Sequence, residues 1–331
     1  MAPSRIAVVG AGAWGTVLAL VAAQQGGRVS LLMRDDAAAK AFNRDRTSPR
    51  LPATVRVPAS LTATAEPHAA IEGAEVVVLA IPAQAMRAAV AALPPFAEHQ
   101  IIVSAAKGLE LSTHQRMSEV ITAAAIATPR QVLALSGPNL AREIAEGKPA
   151  ASVVAGDLTA AQVVIDAFGS DRFRLYAQPD LIGVELAGSL KNVIALAAGV
   201  ADGIGAGDNA KAALVTRGLA EMARIGEALG AHARTFAGLA GLGDLYATCA
   251  SPLSRNRRAG EMLAHGATRE DIAVTLGEVA EGMTTAFAAR DLAASVGVSA
   301  PITNEACRLL AGKSSPAEAM RALMQRETGM E

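Results

Sequence analysis

The chain has 331 residues, of which 51% are hydrophobic and 18% charged, and its net charge is −1. This composition is typical of a folded protein rather than a disordered one, and the length favours two domains. A nucleic acid or an anionic membrane would require a basic excess, so the balanced charge argues against both as partners.

The cysteines and histidines show no metal-ligand spacing. Cys249 and Cys307 lie far apart in the chain, and the five histidines are scattered, so we predict no metal. The same two cysteines suit a reduced, intracellular protein. The N-terminus, MAPSRIAVVGAG, lacks the charged, apolar and cleavage regions of a secretory signal. We therefore expect a cytoplasmic protein.

Strand and helix patterns alternate in the first half of the chain. The predicted strands are Arg5–Val9, Arg28–Met33, Glu75–Ala80, Gln100–Ser104, Gln131–Leu135 and Ala151–Ala155. The predicted helices are Ala13–Gln25, Ala83–Leu93 and Thr113–Ala125, and Arg44–Ser60 has the composition of a surface loop. Continuously apolar strands between helices indicate a parallel sheet covered on both faces, which predicts a doubly wound, Rossmann-like α/β domain.

Strand signals stop after about Pro179, and helical patterns follow. The predicted helices are Leu181–Val200, Asn209–Leu229, Arg255–Ala264, Arg269–Thr275, Thr284–Val296 and Pro316–Met324. We therefore expect an α/β domain at residues 1–180 and an all-α domain at residues 181–331. The apolar run at residues 186–201 is shorter than the ~20 residues that a bilayer requires and has Lys191 in its middle, which favours a buried helix over a membrane span.

The residues from Gly10 to Gly15 form a G-x-G-x-x-G directly after the first strand and at the start of a helix. In a dinucleotide-binding loop, Gly10 makes the tight turn, Gly12 lets the backbone approach the pyrophosphate, and Gly15 lets helix and strand pack closely. The helix N-terminus supplies N–H groups to the phosphates. Trp14 is either a core side chain or a wall beside the dinucleotide. A glycine turn that only packs is the alternative.

The end of the second strand bears on the choice of dinucleotide. An acidic residue there binds the 2′-hydroxyl of NAD, whereas an arginine accommodates the 2′-phosphate of NADP. Arg34 precedes Asp35. This order favours NADP, with NAD as the alternative, unless Arg34 is only a solvated side chain.

Lys191 is the one charged residue in the apolar run 186–201. Its neighbours at helical spacing include the small residues Ala187, Gly188 and Ala195, which leave a groove around it. Burial favours the neutral amine and suits such a lysine to proton transfer. The alternative is a lysine whose ammonium reaches solvent at the domain edge.

Two loops follow strands of the predicted sheet. Lys107 comes just after strand Gln100–Ser104, and the Gly137-Pro138-Asn139 turn comes just after Gln131–Leu135. Ligands of open α/β sheets bind beyond the carboxyl ends of the strands, so both loops are candidates for ligand contact, or are only connectors.

Two polar features of the second half stand out. Asp244 lies in an otherwise uncharged, glycine-rich segment, and Ser254 begins the cluster Ser-Arg-Asn-Arg-Arg. Arginines without carboxylate partners at helical spacing predict an anion site, whereas the simpler reading is a solvated helix start capped by Ser254. A nicotinamide moves a hydride, an ammonium such as Lys191 protonates the resulting oxyanion, and the arginines bind a phosphate. These parts together predict a dehydrogenase acting on a small phosphorylated alcohol or ketone.

The sequence resembles the bacterial NAD(P)-dependent glycerol-3-phosphate dehydrogenases over nearly its whole length. The matching segments are GAGAWGT, AKGLE, SGPNLAREIAEGKP, GSLKNVIALAAGVADGIGAGDNAKAALVTRGLAEM, AGLGDLYATC, SRNRRAG and EGMTTA. The resemblance implies a Rossmann-like domain plus a helical domain, commonly as a homodimer. It also implies reduction of dihydroxyacetone phosphate to sn-glycerol 3-phosphate for phospholipid synthesis.

The resemblance also implies site residues. Lys191 resembles the family's proton donor and acceptor, and Lys107 and Asp244 join it as catalytic candidates. The implied substrate contacts are Lys107, Gly137, Asn139, Lys191, Asp244, Ser254, Arg255 and Asn256. The implied cofactor contacts, beyond the loop glycines, are Ala13, Trp14, Arg34, Lys107, Ala141, Arg255, Val279 and Glu281.

Three positions depart from the family pattern. Position 139 is usually a hydroxyl residue and here is Asn139, position 140 is usually Phe and here is Leu140, and Ala13 is often Ser. An amide donates and accepts hydrogen bonds, so Asn139 keeps a place among the substrate contacts. Two other readings remain: a 3-hydroxyacid or ketopantoate reductase, which also pairs a Rossmann domain with helices around a lysine, and a dinucleotide sensor without chemistry.

Overall fold

The computed structural model describes residues 4–126, 131–277 and 280–325. The chain divides into two compact units. The first takes the chain up to Lys107 together with Met117–Leu181, and the second takes Gly108–Arg116 together with the chain from Ile182 onward. A nine-residue segment from the first half, Gly108–Arg116, therefore belongs to the second unit by its contacts.

The first unit is built on an eight-stranded sheet. Its strands are β1 (Arg5–Val9), β2 (Arg28–Leu32), β3 (Leu61–Thr64), β4 (Val76–Leu79), β5 (Ile101–Ser104), β6 (Gln131–Ser136), β7 (Ala150–Ala155) and β8 (Phe173–Gln178). The strand order is β3-β2-β1-β4-β5-β6-β7-β8. Neighbouring strands are parallel except for the antiparallel pair β6 and β7. The predicted doubly wound, Rossmann-like sheet is confirmed.

Helices cover both faces of the sheet. They are α1 (Ala13–Gln24), α2 (Asp36–Asp45), α3 (Pro67–Ile71), α4 (Ala83–Ala91), α5 (Met117–Ala124), α6 (Ala141–Ala145) and α7 (Leu158–Phe168). Central strands such as β4 and β5 are buried at every position, because helices pack on each side of them. Alternate strand residues divide between two hydrophobic clusters, with Ile6 and Val8 in one and Ala7 and Val9 in the other.

The predicted strands of the first half are confirmed to within a residue or two. The helix predicted at Thr113–Ala125 is wrong at its start, because α5 begins at Met117. The four residues before it lie in a turn in which His114 has a φ of 59° and Leu109 bridges to Arg116. The predicted loop Arg44–Ser60 is confirmed except that α2 continues to Asp45.

Apart from Gly108–Arg116, the described part of the second unit is built of helices. Its helices are α8 (Leu181–Gly203), α9 (Asp208–Ala228), α10 (Ala233–Phe236), α11 (Asp244–Ala250), α12 (Arg255–Ala264), α13 (Arg269–Leu276), α14 (Glu281–Ser295), α15 (Pro301–Leu310) and α16 (Pro316–Met324). A π-helical turn at Leu239–Gly243 leads into α11. The expected all-α second half is confirmed.

Helix α8 forms the centre of this unit and is apolar around nearly its whole circumference. Among the described helices it is the one long and apolar enough to cross a membrane, but 83% of its most apolar window is buried inside the protein. The predicted buried helix is thus confirmed. Gly199 lets α12 approach α8 at backbone distance, since a Cβ there would lie 1.9 Å from the carbonyl oxygen of Arg257.

Candidate functional site

The glycine loop of the first unit has the geometry that its spacing predicts. Gly10 has a φ of +107°, and a Cβ on it would lie 2.5 Å from the carbonyl oxygen of Ala80. A Cβ on Gly15 would lie 1.9 Å from the carbonyl oxygen of Gly10, so this residue fixes the contact between loop and helix. A Cβ on Gly12 would meet nothing within 4 Å. The open side of the loop is therefore at Gly12, the N-cap of α1.

This loop fits the pyrophosphate of a dinucleotide. No side chain caps the N-terminus of α1, and no acidic residue occupies its first turn. The indole Nε1 of Trp14 is buried and has no hydrogen-bond partner within residues 4–126, 131–277 and 280–325. Free backbone N–H groups at a helix N-terminus bind phosphate oxygens. Ala13 is the first residue of the helix and, having no polar side-chain atom, offers a ligand only its backbone for hydrogen bonding.

Arg34 and Asp35 follow β2 and differ in what they can offer a ligand. Asp35 caps α2, since its Oδ1 accepts a hydrogen bond of 2.6 Å from the backbone nitrogen of Ala38. Arg34 is exposed. The carboxylate is thus already used in holding the helix, which leaves the guanidinium as the group at this position suited to an anion.

The loops after β5 and β6 meet in the first unit. The ammonium of Lys107 donates a hydrogen bond of 2.8 Å to the carbonyl oxygen of Gly137. Asn139 follows two residues later, and its Oδ1 accepts a hydrogen bond from the hydroxyl of Ser152. The structure therefore brings together three residues that the sequence predicts as ligand contacts, namely Lys107, Gly137 and Asn139.

Lys191 lies at the centre of the polar cluster of the second unit. Its side chain is buried, and its Nζ donates hydrogen bonds of 2.8 Å to Oδ1 of Asp244 and 2.6 Å to Oγ1 of Thr248. Thr248 in turn donates to the backbone carbonyl of Asp244. The alternative of an ammonium at the domain edge is wrong. The carboxylate of Asp244 balances the charge of this ammonium and offsets the cost of its burial.

Local structure explains how Asp244 reaches this position. The π-helical turn before α11 packs tightly, since a Cβ on Gly241 would lie 2.0 Å from the carbonyl oxygen of Phe236. Asp244 is the first residue of α11, and Thr248 follows one helical turn later on the same face. The glycine-rich segment that stands out in the sequence is thus the backbone that aims this carboxylate at Lys191.

Asn256 links three helices of the second unit. Its Nδ2 donates a hydrogen bond of 2.9 Å to Oδ1 of Asn192 on α8. Its Oδ1 accepts one of 2.9 Å from the backbone nitrogen of Gly282 at the start of α14. The neighbouring Ser254 caps α12, as in the simpler reading of this segment, by accepting a hydrogen bond from the backbone nitrogen of Arg257. Both residues therefore have structural partners, and their substrate contacts stay predictions.

The arginine cluster is less uniform than the sequence indicates. Arg257 pairs with Asp202 at 2.7 Å and with Glu261 one helical turn later at 2.8 Å. The prediction that these arginines lack carboxylates at helical spacing is wrong for this residue. Burial raises the pKa of Asp202, but hydrogen bonds from Lys211 and Arg257 outweigh burial and hold that pKa below its usual value. Arg255 and Arg258 are exposed and stay the candidates for an anion.

The other predicted cofactor contacts are dispersed. Ala141 begins α6 in the first unit and packs against the cluster that includes α1. Glu281 is the first residue of α14 in the second unit. Val279 lies outside the described residues. No group of three or more potential metal ligands occurs among the residues that the structure describes.

Sequence reasoning missed several polar partners. The sequence could have indicated Thr248, because it lies one helical turn from Asp244. No sequence pattern marks Asn192 or Ser152 as a polar partner. A further ion pair joins half-buried Arg116 to buried Glu185 at 2.7 Å and ties the segment Gly108–Arg116 to α8. Such pairs span many residues in sequence, so helix and strand patterns do not reveal them.

Both cysteines are free thiols and are buried. Burial raises the pKa of Cys249 to about 12, although the nearby ammonium of Lys191 opposes this shift. Burial likewise raises the pKa of Cys307 to about 11. Neither thiol is suited to act as a nucleophile near neutral pH.

Comparison with known proteins identifies the family. Residues 5–161 match the model of the NAD-dependent glycerol-3-phosphate dehydrogenase N-terminus, and residues 180–321 match that of its C-terminus. A glycerol-3-phosphate dehydrogenase [NAD(P)+] of Parafrankia sp. is 49% identical over 99% of this chain and 98% of its own length. One from Moorella thermoacetica is 45% identical over 97% of this chain and 96% of its own.

Solved structures agree with this result. The crystal structure of a glycerol-3-phosphate dehydrogenase from Coxiella burnetii has a TM-score of 0.92 at 33% identity and covers 98% of this chain and 100% of its own. A ketopantoate reductase family structure from Ralstonia eutropha has a TM-score of 0.61 at 15% identity and covers 95% and 99%, which shows a shared fold alone. The chain belongs to the NAD-dependent glycerol-3-phosphate dehydrogenase family.

Proposed function

We propose that the protein catalyses reversible hydride transfer between NAD(P)H and dihydroxyacetone phosphate, forming sn-glycerol 3-phosphate for glycerophospholipid synthesis. The observation that carries this proposal is the buried Lys191–Asp244–Thr248 cluster in a chain of this family. The matched relatives carry the name of the same NAD(P)+-dependent dehydrogenase.

Lys191 is the proton donor for reduction of the ketone. When bound, the nicotinamide supplies a hydride to the carbonyl carbon of the substrate. Negative charge then develops on the carbonyl oxygen, and the ammonium of Lys191 stabilises this charge and transfers a proton to it. In the reverse direction, the neutral amine of Lys191 accepts the hydroxyl proton.

Asp244 and Thr248 hold Nζ of Lys191 in place. Two hydrogen bonds of 2.8 and 2.6 Å restrain the ammonium, and the carboxylate stabilises its positive charge away from water. A fixed donor needs little reorganisation during the reaction. Asp244 thus serves the reaction through the position and charge of Lys191.

Each unit contains residues that the family resemblance assigns to ligand binding. In the first unit, the loop Gly10–Gly15 with Ala13, Trp14 and Ala141 holds the dinucleotide, and Lys107, Gly137 and Asn139 contact the substrate. In the second unit, we assign substrate contacts to Ser254, Arg255 and Asn256, and cofactor contacts to Arg255 and Glu281. The exposed guanidinium of Arg255 suits a phosphate because its planar fork donates two hydrogen bonds at once. We propose that residues 1–180, apart from the segment Gly108–Arg116, form the dinucleotide-binding domain, and that residues 181–331 form the substrate-binding and catalytic domain.

We infer a preference for NADPH over NADH from the residues after β2. The carboxylate of Asp35 is engaged in capping α2, while Arg34 is exposed and suited to a 2′-phosphate. An Arg34→Ala variant is expected to raise KM for NADPH and leave KM for NADH nearly unchanged. Equal changes in both values would contradict this preference.

We further propose that the protein is a cytoplasmic homodimer. Sedimentation equilibrium tests the oligomeric state, and cell fractionation tests the location.

The decisive experiment is a spectrophotometric assay of cofactor oxidation. NADPH and NADH are each tested with dihydroxyacetone phosphate and with a panel of other phosphorylated and unphosphorylated ketones. Oxidation that depends on dihydroxyacetone phosphate is expected, and absence of turnover with both cofactors would refute the proposal. An Arg255→Ala variant with unchanged KM for this substrate would instead favour a reductase of unphosphorylated substrates.

A further inference from the structure

Asn139 presents a buried hydrogen-bond donor that the protein itself does not satisfy. The residue follows β6 at a position where the family pattern has a hydroxyl. Its Nδ2 is inaccessible to solvent and has no hydrogen-bond partner among the residues that the structure describes. Buried donors are nearly always paired, so an unpaired one in a ligand-binding loop indicates an acceptor that arrives with the ligand.

Ser152 determines which end of this amide is unpaired. Ser152 lies on β7, is 0% exposed, and donates from Oγ to Oδ1 of Asn139 at 2.5 Å. The antiparallel register of β6 and β7 pairs Ser136 with Val153 and thereby places Gly137 beside Ser152. A Cβ on Gly137 would lie 2.7 Å from Oγ of Ser152, so the glycine leaves room for this hydroxyl.

The surroundings specify the chemistry of the missing acceptor. The ammonium of Lys107 bonds to the carbonyl of Gly137, two residues before Asn139, at 2.8 Å. A cation on one loop and an amide N–H₂ group on the loop that it contacts suit an oxygen acceptor, either a phosphate or a carbonyl oxygen. A hydroxyl at position 139 donates or accepts by rotating one bond, whereas an amide has distinct ends and requires a partner to fix them.

We propose that Ser152 is a positioning residue that orients the Asn139 amide so that its Nδ2 donates to an acceptor oxygen of a bound ligand. This inference rests on the proposed function and adds to it a residue whose role the family pattern does not supply. The acceptor oxygen belongs to the phosphorylated substrate or to the dinucleotide, and the two sources predict different changes in binding.

A double-mutant cycle tests the proposal. Ser152→Ala in the parent is expected to raise KM for dihydroxyacetone phosphate, or Kd for NADPH, by about 3- to 10-fold, with kcat within about twofold. The same change in an Asn139→Ser background is expected to have almost no effect, because a hydroxyl at 139 needs no orienting partner. A purely structural role for Ser152 would give the same loss in both backgrounds.

Two further variants complete the design. Asn139→Asp keeps the shape of the side chain and its bond from Ser152 but replaces the donor by an anion, so binding of the anionic ligand is expected to weaken by more than 10-fold. Ser118→Ala is the control, because Ser118 is a 6% exposed serine on helix α5, outside the loops that follow β5 and β6. Its KM, Kd and kcat are expected to equal those of the parent.

The outcomes separate this inference from the proposed function. KM for dihydroxyacetone phosphate is measured at saturating NADPH, and Kd for NADPH by titration calorimetry without substrate, so each reports one source of the acceptor. Equal effects of Ser152→Ala in both backgrounds, or unchanged KM and Kd in Ser152→Ala and Asn139→Asp, would overturn the inference. An inactive parent enzyme would refute the proposed function instead.

Discussion

The two units hold their functional groups in opposite ways. In the first unit, the dinucleotide loop works through its backbone: three glycines within six residues supply a turn, an open N–H face and a tight helix contact. In the second unit, the proposed proton donor is a buried ammonium whose carboxylate partner lies 53 residues away in sequence. The loop depends on glycines, which have no side chain. The cluster around Lys191 depends on side chains that come into contact only in the folded protein.

This difference determines what a substitution does in each unit. In the glycine loop, an added Cβ overlaps protein backbone at Gly10 and Gly15 but not at Gly12, and no charge is lost by such a change. A buried ion pair tolerates no loss of one partner, because the other charge is then left in a medium of low dielectric. Substitutions in the glycine loop should therefore act through steric overlap, and those in the Lys191 cluster through lost charge and lost hydrogen bonds.

The largest effect is expected at Lys191. Lys191→Arg keeps a positive charge beside Asp244 but has no proton to give, because a guanidinium does not deprotonate in proteins. We expect kcat to fall by about 10²–10⁴-fold while NADPH binding stays at the parental level. Single-turnover oxidation of NADPH and calorimetric titration measure the two quantities. Turnover close to that of the parent would show that charge alone suffices and that the proton comes from elsewhere.

The next largest effect separates two glycines of one loop. Gly15→Ala places a Cβ against the backbone of Gly10, and we expect a loss of about 2–4 kcal/mol in the free energy of unfolding together with loss of NADPH binding. Gly12→Ala meets no protein atom within 4 Å, so its stability should match that of the parent while its Kd for NADPH rises. Urea unfolding and calorimetry distinguish the two variants. Parental affinity in Gly12→Ala would mean that the pyrophosphate does not approach this residue.

Most of the first unit is predictable from sequence because its signals are local. A strand, a glycine motif and a helix within twenty residues specify the dinucleotide loop, and apolar runs of four to six residues specify the buried strands. The sequence analysis does not predict strands β3 and β8, which lie at the two edges of the sheet. Both alternate buried and exposed residues at their start, so neither forms a continuous apolar run. The predicted start of α5 is wrong because the residues before Met117 have a helical composition but form a turn with a left-handed His114.

The cluster around Lys191 is predictable only in part. A lone charge in an apolar helix marks Lys191, and a glycine-rich frame marks Asp244, but nothing in either segment states that they form a pair. The pairing of Lys191 with Asp244 follows from helix packing. The same is true of the ion pair between Arg257 and Asp202, which engages a guanidinium that the sequence suggests for a ligand. The contact of Ser152 with Asn139 is harder still to predict, because no sequence pattern distinguishes a serine in a strand that bonds to a neighbouring loop.

A buried carboxylate outside the Lys191–Asp244–Thr248 cluster extends the comparison to stability. Glu221 on α9 is 1% exposed and accepts hydrogen bonds from the backbone nitrogens of Ile302 and Thr303, at the start of α15. Glu221→Gln replaces one acceptor by a donor that faces an N–H group, so we expect a loss of about 1–3 kcal/mol in the free energy of unfolding. Glu227→Gln, an exposed change on the same helix, should stay within about 0.5 kcal/mol of the parent. Equal stability of the two variants in urea would contradict a role for this cap.

The smallest effect is expected at Asp202, where a partly exposed carboxylate joins α8, α9 and α12. Hydrogen bonds from Lys211 and Arg257 hold its pKa below the usual value, so its contribution to stability is complete above the unfolded-state pKa of about 3.9 and is lost as pH falls through the lower, folded-state pKa. We expect Asp202→Asn to cost about 1 kcal/mol at pH 7, and this difference from the parent should shrink as the pH falls below about 4.

Urea is the denaturant of choice for this measurement, because it is uncharged and does not screen the ion pairs. Lys211→Met supplies the matched control: it removes one of the two cations from the same carboxylate, so the parent and Asp202→Asn should bracket it at pH 7. If the difference between parent and Asp202→Asn were instead constant from pH 7 to pH 3, the cost of the substitution would lie in packing rather than in charge. In that case the helical unit would respond to this substitution through packing, as the glycine loop does. The contrast between the two units would then hold only for the fully buried pair of Lys191 and Asp244.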